Sequence, residues 1–203
     1  CNEALKMLKG NREERIQGLR IFCEYRDSRS FPLLLPLLDQ PCPVERMSVV
    51  YALGRNPCPS AVEKLVSLLE TDDNAYVRRA TAWSLANYDN QIVLEPLINA
   101  LKNDVAAVRL WSSSSLAEIG NVSSENAQLA AEQLLISLKI DNEPGVRSNC
   151  IWSLCRLYEK LNNTFQESFV DECTKIALFD KEPSVMEEAK TALDSMGMQG
   201  FYN

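Results

Sequence analysis

The stretch Tyr76-Val77-Arg78-Arg79-Ala80-Thr81-Ala82-Trp83-Ser84-Leu85-Ala86 decides the reading of this chain. It returns 31 residues later as Ala107-Val108-Arg109-Leu110-Trp111-Ser112-Ser113-Ser114-Ser115-Leu116-Ala117. Outward from this pair, Arg15 and Arg46 precede and Arg147 follows, so that five arginines stand at steps of 31, 32, 31 and 38 residues. Each opens a segment with apolar residues at helical spacing. A period of this length marks a solenoid of stacked helix pairs, in which each repeat packs only on its neighbours. The expected fold is all-α, a right-handed α-α superhelix of about six antiparallel helix pairs.

Each repeat pairs a leucine-rich helix A with the arginine-bearing helix B that follows. In the fourth repeat helix A covers residues 91–102, with Val93, Leu94, Leu97, Ile98 and Leu101 at helical spacing, and helix B covers 106–119. The other pairs are expected at 2–9 with 13–25, 29–39 with 43–55, 59–70 with 75–88, 125–139 with 144–159, and 166–179 with 183–196. These make one solenoid over 1–203, in units of about 1–27, 28–57, 58–89, 90–121, 122–162 and 163–198, with a short C-terminal tail 199–203.

Pro43, Pro59, Pro144 and Pro183 fall in the first turn of expected helices, where a missing N–H costs nothing. Pro36 and Pro96 lie inside helix A and predict a bend there. Small residues at Ala82, Ser84, Ala86, Ser113, Ser115 and Ala117 mark close approach of helices. Leu53, Leu85, Leu116, Leu154 and Leu193 are the expected fill between A and B. Because the arginine recurs in every repeat but the sixth, which has Met186, its role reads as structural: Asp73, Asp104 and Asp141 precede their arginines by five or six residues and can cap helix B while the arginine links adjacent turns. The first two repeats lack the matching Asp, so the ladder should be weakest at the ends.

With 21 Lys and Arg against 28 Asp and Glu, the net charge of −7 disfavours nucleic acid or an anionic membrane as the general partner. No apolar stretch is long enough to span a bilayer, so no membrane insertion is expected. The first residues lack a signal peptide's apolar block. Seven cysteines without a C-x-x-C pair favour a reducing compartment over a disulfide framework. The expected location is cytoplasmic, or the plastid stroma if a transit segment preceded Cys1.

Val77-Arg78 through Ala86, Val108-Arg109 through Gly120 and Tyr51-Ala52-Leu53-Gly54 resemble the short HEAT-type repeats of the phycobilisome-lyase HEAT-like family, over nearly the whole chain. Val108-Arg109-Leu110-Trp111 and Val146-Arg147-Ser148-Asn149-Cys150-Ile151-Trp152-Ser153-Leu154 resemble its small cyanobacterial or plastid scaffold members most. The resemblance implies bilin lyase subunits, phycobilisome-degradation factors or scaffolds, one of them linked to iron–sulfur cluster assembly. It does not choose among them.

In HEAT-like folds the B helices line the concave face. Positions one, two, five and nine after the repeated arginine form one helical stripe that packing leaves free. All three tryptophans, Trp83, Trp111 and Trp152, fall on it with Tyr51, joined by Arg20, Arg55, Arg79, Arg156, Met47 and Leu110. Rings on successive repeats would form a nearly continuous ridge, and Trp, Tyr and Arg together have the composition of a binding hot spot. The alternative is that the rings pack between neighbouring B helices. The binding reading predicts a protein partner with an acidic and apolar surface, or a second HEAT-repeat subunit.

The absence of histidine removes the commonest general base and the Cys-His and Ser-His pairs, which weighs against catalysis without excluding it. No Gly-rich phosphate loop or paired-carboxylate motif occurs. Cys23, Cys150 and Cys155 fall at packing positions. Cys42 and Cys58 are flanked by prolines near helix starts and separated by roughly 18 Å of helix, too far to share one metal within the chain. Either could donate a thiolate to an iron–sulfur cluster shared with a partner. Three functions follow: a non-catalytic scaffold with no intrinsic cofactor, a lyase or chaperone subunit handling a transient open-chain bilin, and an assistant in iron–sulfur assembly.

Overall fold

Local capping chemistry places the helix boundaries in the computed structural model, which describes residues 1–89, 91–198 and 200. Asn11 and Glu14 form a capping box, each side chain accepting from the other's backbone N–H, and start α2 (Arg12–Glu24). Asn74 accepts the N–H of Tyr76 and of Val77 to start α6 (Ala75–Leu85). Pro43, Pro144 and Pro183 stand in the first turns of α4 (Pro43–Arg55), α10 (Pro144–Leu157) and α12 (Pro183–Ser195), as the sequence predicts. Pro59 opens a 3-10 turn, Pro59–Ala61, that leads into α5 (Val62–Thr71).

Two compact units result, Cys1–Pro96 and Leu97–Asn203. The first holds α1 (Asn2–Met7), α2, α3 (Phe31–Leu34), α4, α5 and α6. The boundary falls within α7 (Leu94–Asn103), and the second unit continues with α8 (Ala106–Gly120), α9 (Ser124–Ile140), α10, α11 (Asn163–Phe179) and α12. Odd-numbered helices are the A helices and even-numbered ones the B helices. Among the described residues there is no strand, and no helix is long and apolar enough to cross a membrane. The tail 199–203 lies, apart from Gly200, outside the described residues.

Within each unit B packs on B, α2 on α4 on α6 and α8 on α10 on α12, and A helices such as α5, α9 and α11 pack on the B helix that follows. Leu53, Leu85, Leu116, Leu154 and Leu193 are wholly buried, each stabilising its repeat by about 1.5–3 kcal/mol. Ala82, Ser84, Ser113, Ser115 and Ala117 are buried too. The prolines inside helix A behave differently from a simple bend. Pro36 sits in the 3-10 segment Leu35–Asp39 that replaces regular helix after α3, because its ring excludes the carbonyl four residues back. Pro96 falls in the first turn of α7, after the 3-10 turn Gln91–Val93, where its missing N–H has no intrahelical partner to lose.

The repeated arginine is a clamp with two jaws. Its Nη1 donates to a carbonyl in the turn before its own helix: Gly10 for Arg15 (3.1 Å), Gln40 for Arg46 (2.9 Å), Asp72 for Arg78 (2.7 Å), Asp104 for Arg109 (2.8 Å) and Asp141 for Arg147 (2.9 Å). Nε and Nη2 donate side by side to the carboxylate of the next repeat, Arg46 to Asp72 (2.8 and 2.9 Å), Arg109 to Asp141 (2.7 and 2.8 Å) and Arg147 to Asp180 (3.0 and 2.7 Å). The carboxylate is thus Asp72 rather than Asp73. It braces the turn instead of capping the helix: Asp72, Asp141 and Asp180 each accept the N–H two residues on. The N-terminal end is not weak, because buried Glu45 receives Arg15 Nε at 2.5 Å.

Burial pushes the carboxyls of Asp72, Asp141 and Asp180 up, but the hydrogen bonds from Arg46, Arg109 and Arg147, with the braced N–H groups, hold all three below the usual carboxylate range. An unfolded Asp titrates near ~3.9, above these folded values. The clamps therefore stabilise fully above that pH and lose their contribution as pH falls through the depressed folded pKa values. Asp141→Asn should lower stability to urea by about 2 kcal/mol at pH 7, with the deficit shrinking below about pH 4. A deficit that stays the same at pH 7 and pH 3 would contradict the clamp.

Candidate functional site: the exposed B-helix face

In the first unit, α6 places Tyr76, Arg79 and Trp83 on one helical face, at spacings of three and four residues. The Trp83 ring lies 5.3 Å from that of Tyr51 on α4, tilted by 55°. Gly54 makes the seat for the indole, since a Cβ there would stand 2.5 Å from Trp83 Cζ3. Arg79 Nη2 donates to Tyr51 Oη at 3.2 Å, and its guanidinium carbon is 5.7 Å from the centre of the Tyr76 ring. Its Nε is buried without a hydrogen-bond partner. Tyr76 is 65% exposed, and Tyr51 and Trp83 are half-buried.

Packing and exposure therefore coexist here. Trp83 is seated on its neighbour and still offers an edge to solvent. Tyr76 escaped the stripe because counting began after the repeated arginine; one turn further back would have reached it. Arg20 and Arg55 are exposed, with Arg55 Nε donating to the Cys23 carbonyl at 3.2 Å, and Met47 is half-buried.

The second unit arranges its rings otherwise. Trp111 and Leu110 on α8 are half-buried, while Trp152 on α10 is 40% exposed. The Arg156 guanidinium lies 5.0 Å from the centre of the Trp152 ring and pairs with Glu118 at 2.9 Å. Among the described residues no ring contact joins Trp111 to Trp152, so the continuous ridge does not form within this unit. Trp111 stands two residues after its arginine and Trp152 five after its own, which sets them almost a helical turn apart. Between them Asn149 Nδ2 donates to the Leu110 carbonyl (3.0 Å), Ser113 Oγ (2.8 Å) and Ser114 Oγ (2.6 Å), a polar join rather than an aromatic one.

The cysteines divide by environment. Cys150 and Cys173 are buried, which raises their thiol pKa values, and burial pushes half-buried Cys23 and Cys155 up to about 11 each. Cys58 is buried against Ser60 Oγ at 2.9 Å, so it is not the surface thiol that its proline-flanked position suggests. Cys42 precedes α4; the N–H groups of Glu45 and Val44 and the neighbouring Arg12 guanidinium, 2.9 Å from Sγ, hold its thiol below the ordinary value. Among the described residues no three His, Cys, Asp or Glu side chains converge as a metal site.

A rival surface runs along the A–B turns of the second unit. Phe179 and Ile140 are 78% and 72% exposed there, beside clefts of about 410 and 330 Å³. Its arginines, Arg109 and Arg147, are held by their clamps and are not free to anchor a ligand.

The HEAT-repeat family profile matches residues 2–86 and 62–155. The chain belongs to the HEAT-repeat family. No curated protein matches this HEAT-repeat chain. Among solved structures it is similar to an engineered protein (TM-score 0.70, 20% identity, covering 97% of this chain and 99% of that one). A designed armadillo repeat protein in complex with the peptide (KR)4 is comparably similar (0.70, 18%, covering 99% and 98%). Yeast importin-beta matches over 95% of this chain but only 30% of its own length (0.61, 18%). These likenesses carry the fold.

Gly54→Ala tests the indole seat. The added methyl also meets Ser84 Oγ at 3.0 Å and Ser84 Cα at 3.2 Å, so it should destabilise the protein by about 1–3 kcal/mol and alter the near-ultraviolet dichroism of Trp83. An unchanged urea midpoint and spectrum would show that Trp83 is not seated there.

Proposed function

We propose that this HEAT-repeat protein is a non-catalytic scaffold that holds a partner protein on its exposed B-helix face. The observation that carries this reading is the cluster of Tyr51, Tyr76, Arg79 and Trp83. It gathers aromatic rings and a half-buried arginine on one part-exposed surface. Aromatic and arginine side chains dominate interface hot spots because they remove large apolar area from water while keeping a polar anchor. Arg20, Arg55 and Arg79 on this side suit a partner surface that is apolar and acidic. Repeat proteins of this fold are known bound to polypeptide, as in the armadillo protein with its (KR)4 peptide and the Kap95:Nup1 complex.

The same cluster favours one narrower reading within the phycobilisome-lyase branch. Flat rings beside an arginine also suit an open-chain tetrapyrrole, stacked on Trp83 with a propionate on Arg79. Titrating a bilin into the protein should then shift the pigment's visible absorption, and a featureless titration counts against that reading.

For the scaffold, Tyr76→Ala removes an exposed ring and should leave stability within about 0.5 kcal/mol. Tyr76→Ala and Trp83→Ala should each weaken retention of the protein captured by the wild type, by tenfold or more for a hot-spot side chain at about 2 kcal/mol. Capture that survives both substitutions undiminished would overturn the reading.

A further inference from the structure

We infer that the cleft formed by α8, α10 and α12 is a subsite for a lysine or arginine side chain of a polypeptide. The inference rests on the scaffold reading and adds to it the chemistry of one contact. The cleft, of about 280 Å³, is lined by Ser114, Gly145, Ser148, Asn149, Trp152 and Glu188. It lies wholly within the second unit.

The decisive group is Glu188. Several carboxylates of this unit are neutralised, among them Asp141 by Arg109, Asp180 by Arg147 and Glu118 by Arg156. Glu188 is half-buried and makes no ion pair among the described residues. Its helix carries Met186 where other repeats carry arginine, so α12 brings no guanidinium of its own. Lys190, two residues on, projects about 200° round the helix from it. Glu187, next in sequence, is exposed and adds a second negative charge.

The rest of the lining suits a cation. Trp152 shares the cleft with Glu188, and an indole attracts a cation through its ring quadrupole, most strongly where water is partly excluded. Arg156 already lies 5.0 Å from the centre of that ring, which shows that the indole accepts a cation, and its own charge is paired with Glu118 at 2.9 Å. Gly145 leaves room by lacking a side chain, and Ser114 and Ser148 supply hydroxyl acceptors. Asn149 is fixed by its Nδ2, whose two hydrogens are shared among three acceptors, which leaves Oδ1 as an acceptor.

An ammonium or guanidinium only donates, and the cleft mostly accepts. An acidic side chain would meet Glu188 and Glu187. An apolar one would remove water from Glu188 without replacing its hydrogen bonds. A basic side chain alone satisfies both the ring and the carboxylate.

The test uses the full chain and a fluorescein-labelled octapeptide of alternating lysine and serine, with norleucine replacing lysine in the control. Fluorescence polarisation should show the lysine peptide binding at least tenfold more tightly than the norleucine peptide. Glu188→Gln, almost isosteric, should remove roughly tenfold of that affinity. Glu132→Gln, at an exposed carboxylate of α9 outside the cleft lining, should change it by less than about twofold. Trp152→Leu should weaken binding similarly to Glu188→Gln; where that variant fails to fold, Glu188→Gln decides alone. Equal affinity for the two peptides, no binding of the lysine peptide, or full affinity in Glu188→Gln would overturn the subsite. Partner capture that is lost in Tyr76→Ala but kept in Glu188→Gln would leave the scaffold standing and the subsite refuted.

Discussion

Within each unit one guanidinium ties a repeat to the next, Arg15 to Glu45, Arg46 to Asp72, Arg109 to Asp141 and Arg147 to Asp180, and the stack depends on that tie. The planar fork of arginine is used in full: one nitrogen holds the carbonyl of its own turn, and two hold the following repeat's carboxylate. A solenoid has no central core to fix the spacing of its layers, so a directional contact that recurs from repeat to repeat within each unit does what burial alone does poorly. Leucine between the helices supplies most of the apolar stabilisation, but it is non-directional. Asp72 and Asp141 are nodes in both directions, each receiving one arginine at its carboxylate and the next at its carbonyl.

The clamp also decides what is left for binding. The side of each B helix that carries the small residues is buried against its neighbours, and the arginine is held at the turn. One of the stripes left at least partly to solvent carries the aromatic and charged side chains. In the first unit it carries Tyr51, Tyr76, Arg79 and Trp83; in the second it carries Trp152, Arg156 and Glu188. The two units therefore present different chemistry on equivalent helices, an arginine among tilted rings in one and a half-buried carboxylate near an exposed indole with its own arginine in the other.

Much of this was legible in the sequence, because a period of 31 or 32 residues is a ruler. The arginines set the register, prolines and capping residues set the helix starts, and buried leucines fall where the register puts them. What stayed hidden was decided by contacts between repeats. Nothing local distinguishes Asp72 from Asp73, and only the approach of Arg46 does. Glu45 serves Arg15 from inside α4, whereas Asp72, Asp141 and Asp180 serve their arginines from the turn before a helix. Cys58 is buried by its neighbours although its flanking prolines suggest an exposed turn. The expected ridge failed in the second unit because Trp111 and Trp152 occupy different turns of their helices, an offset visible in the numbering whose effect depends on how α8 and α10 pack.

The central claim is that the B-helix face, and not the apolar edge at Ile140 and Phe179, receives the partner. Photo-crosslinking tests it most directly, with benzoylphenylalanine placed at Tyr76 in one protein and at Ile140 in another, both exposed positions that tolerate the larger ring. The account predicts that the captured protein crosslinks efficiently from position 76 and little from position 140. Crosslinking from 140 alone would place the partner on the edge and contradict it.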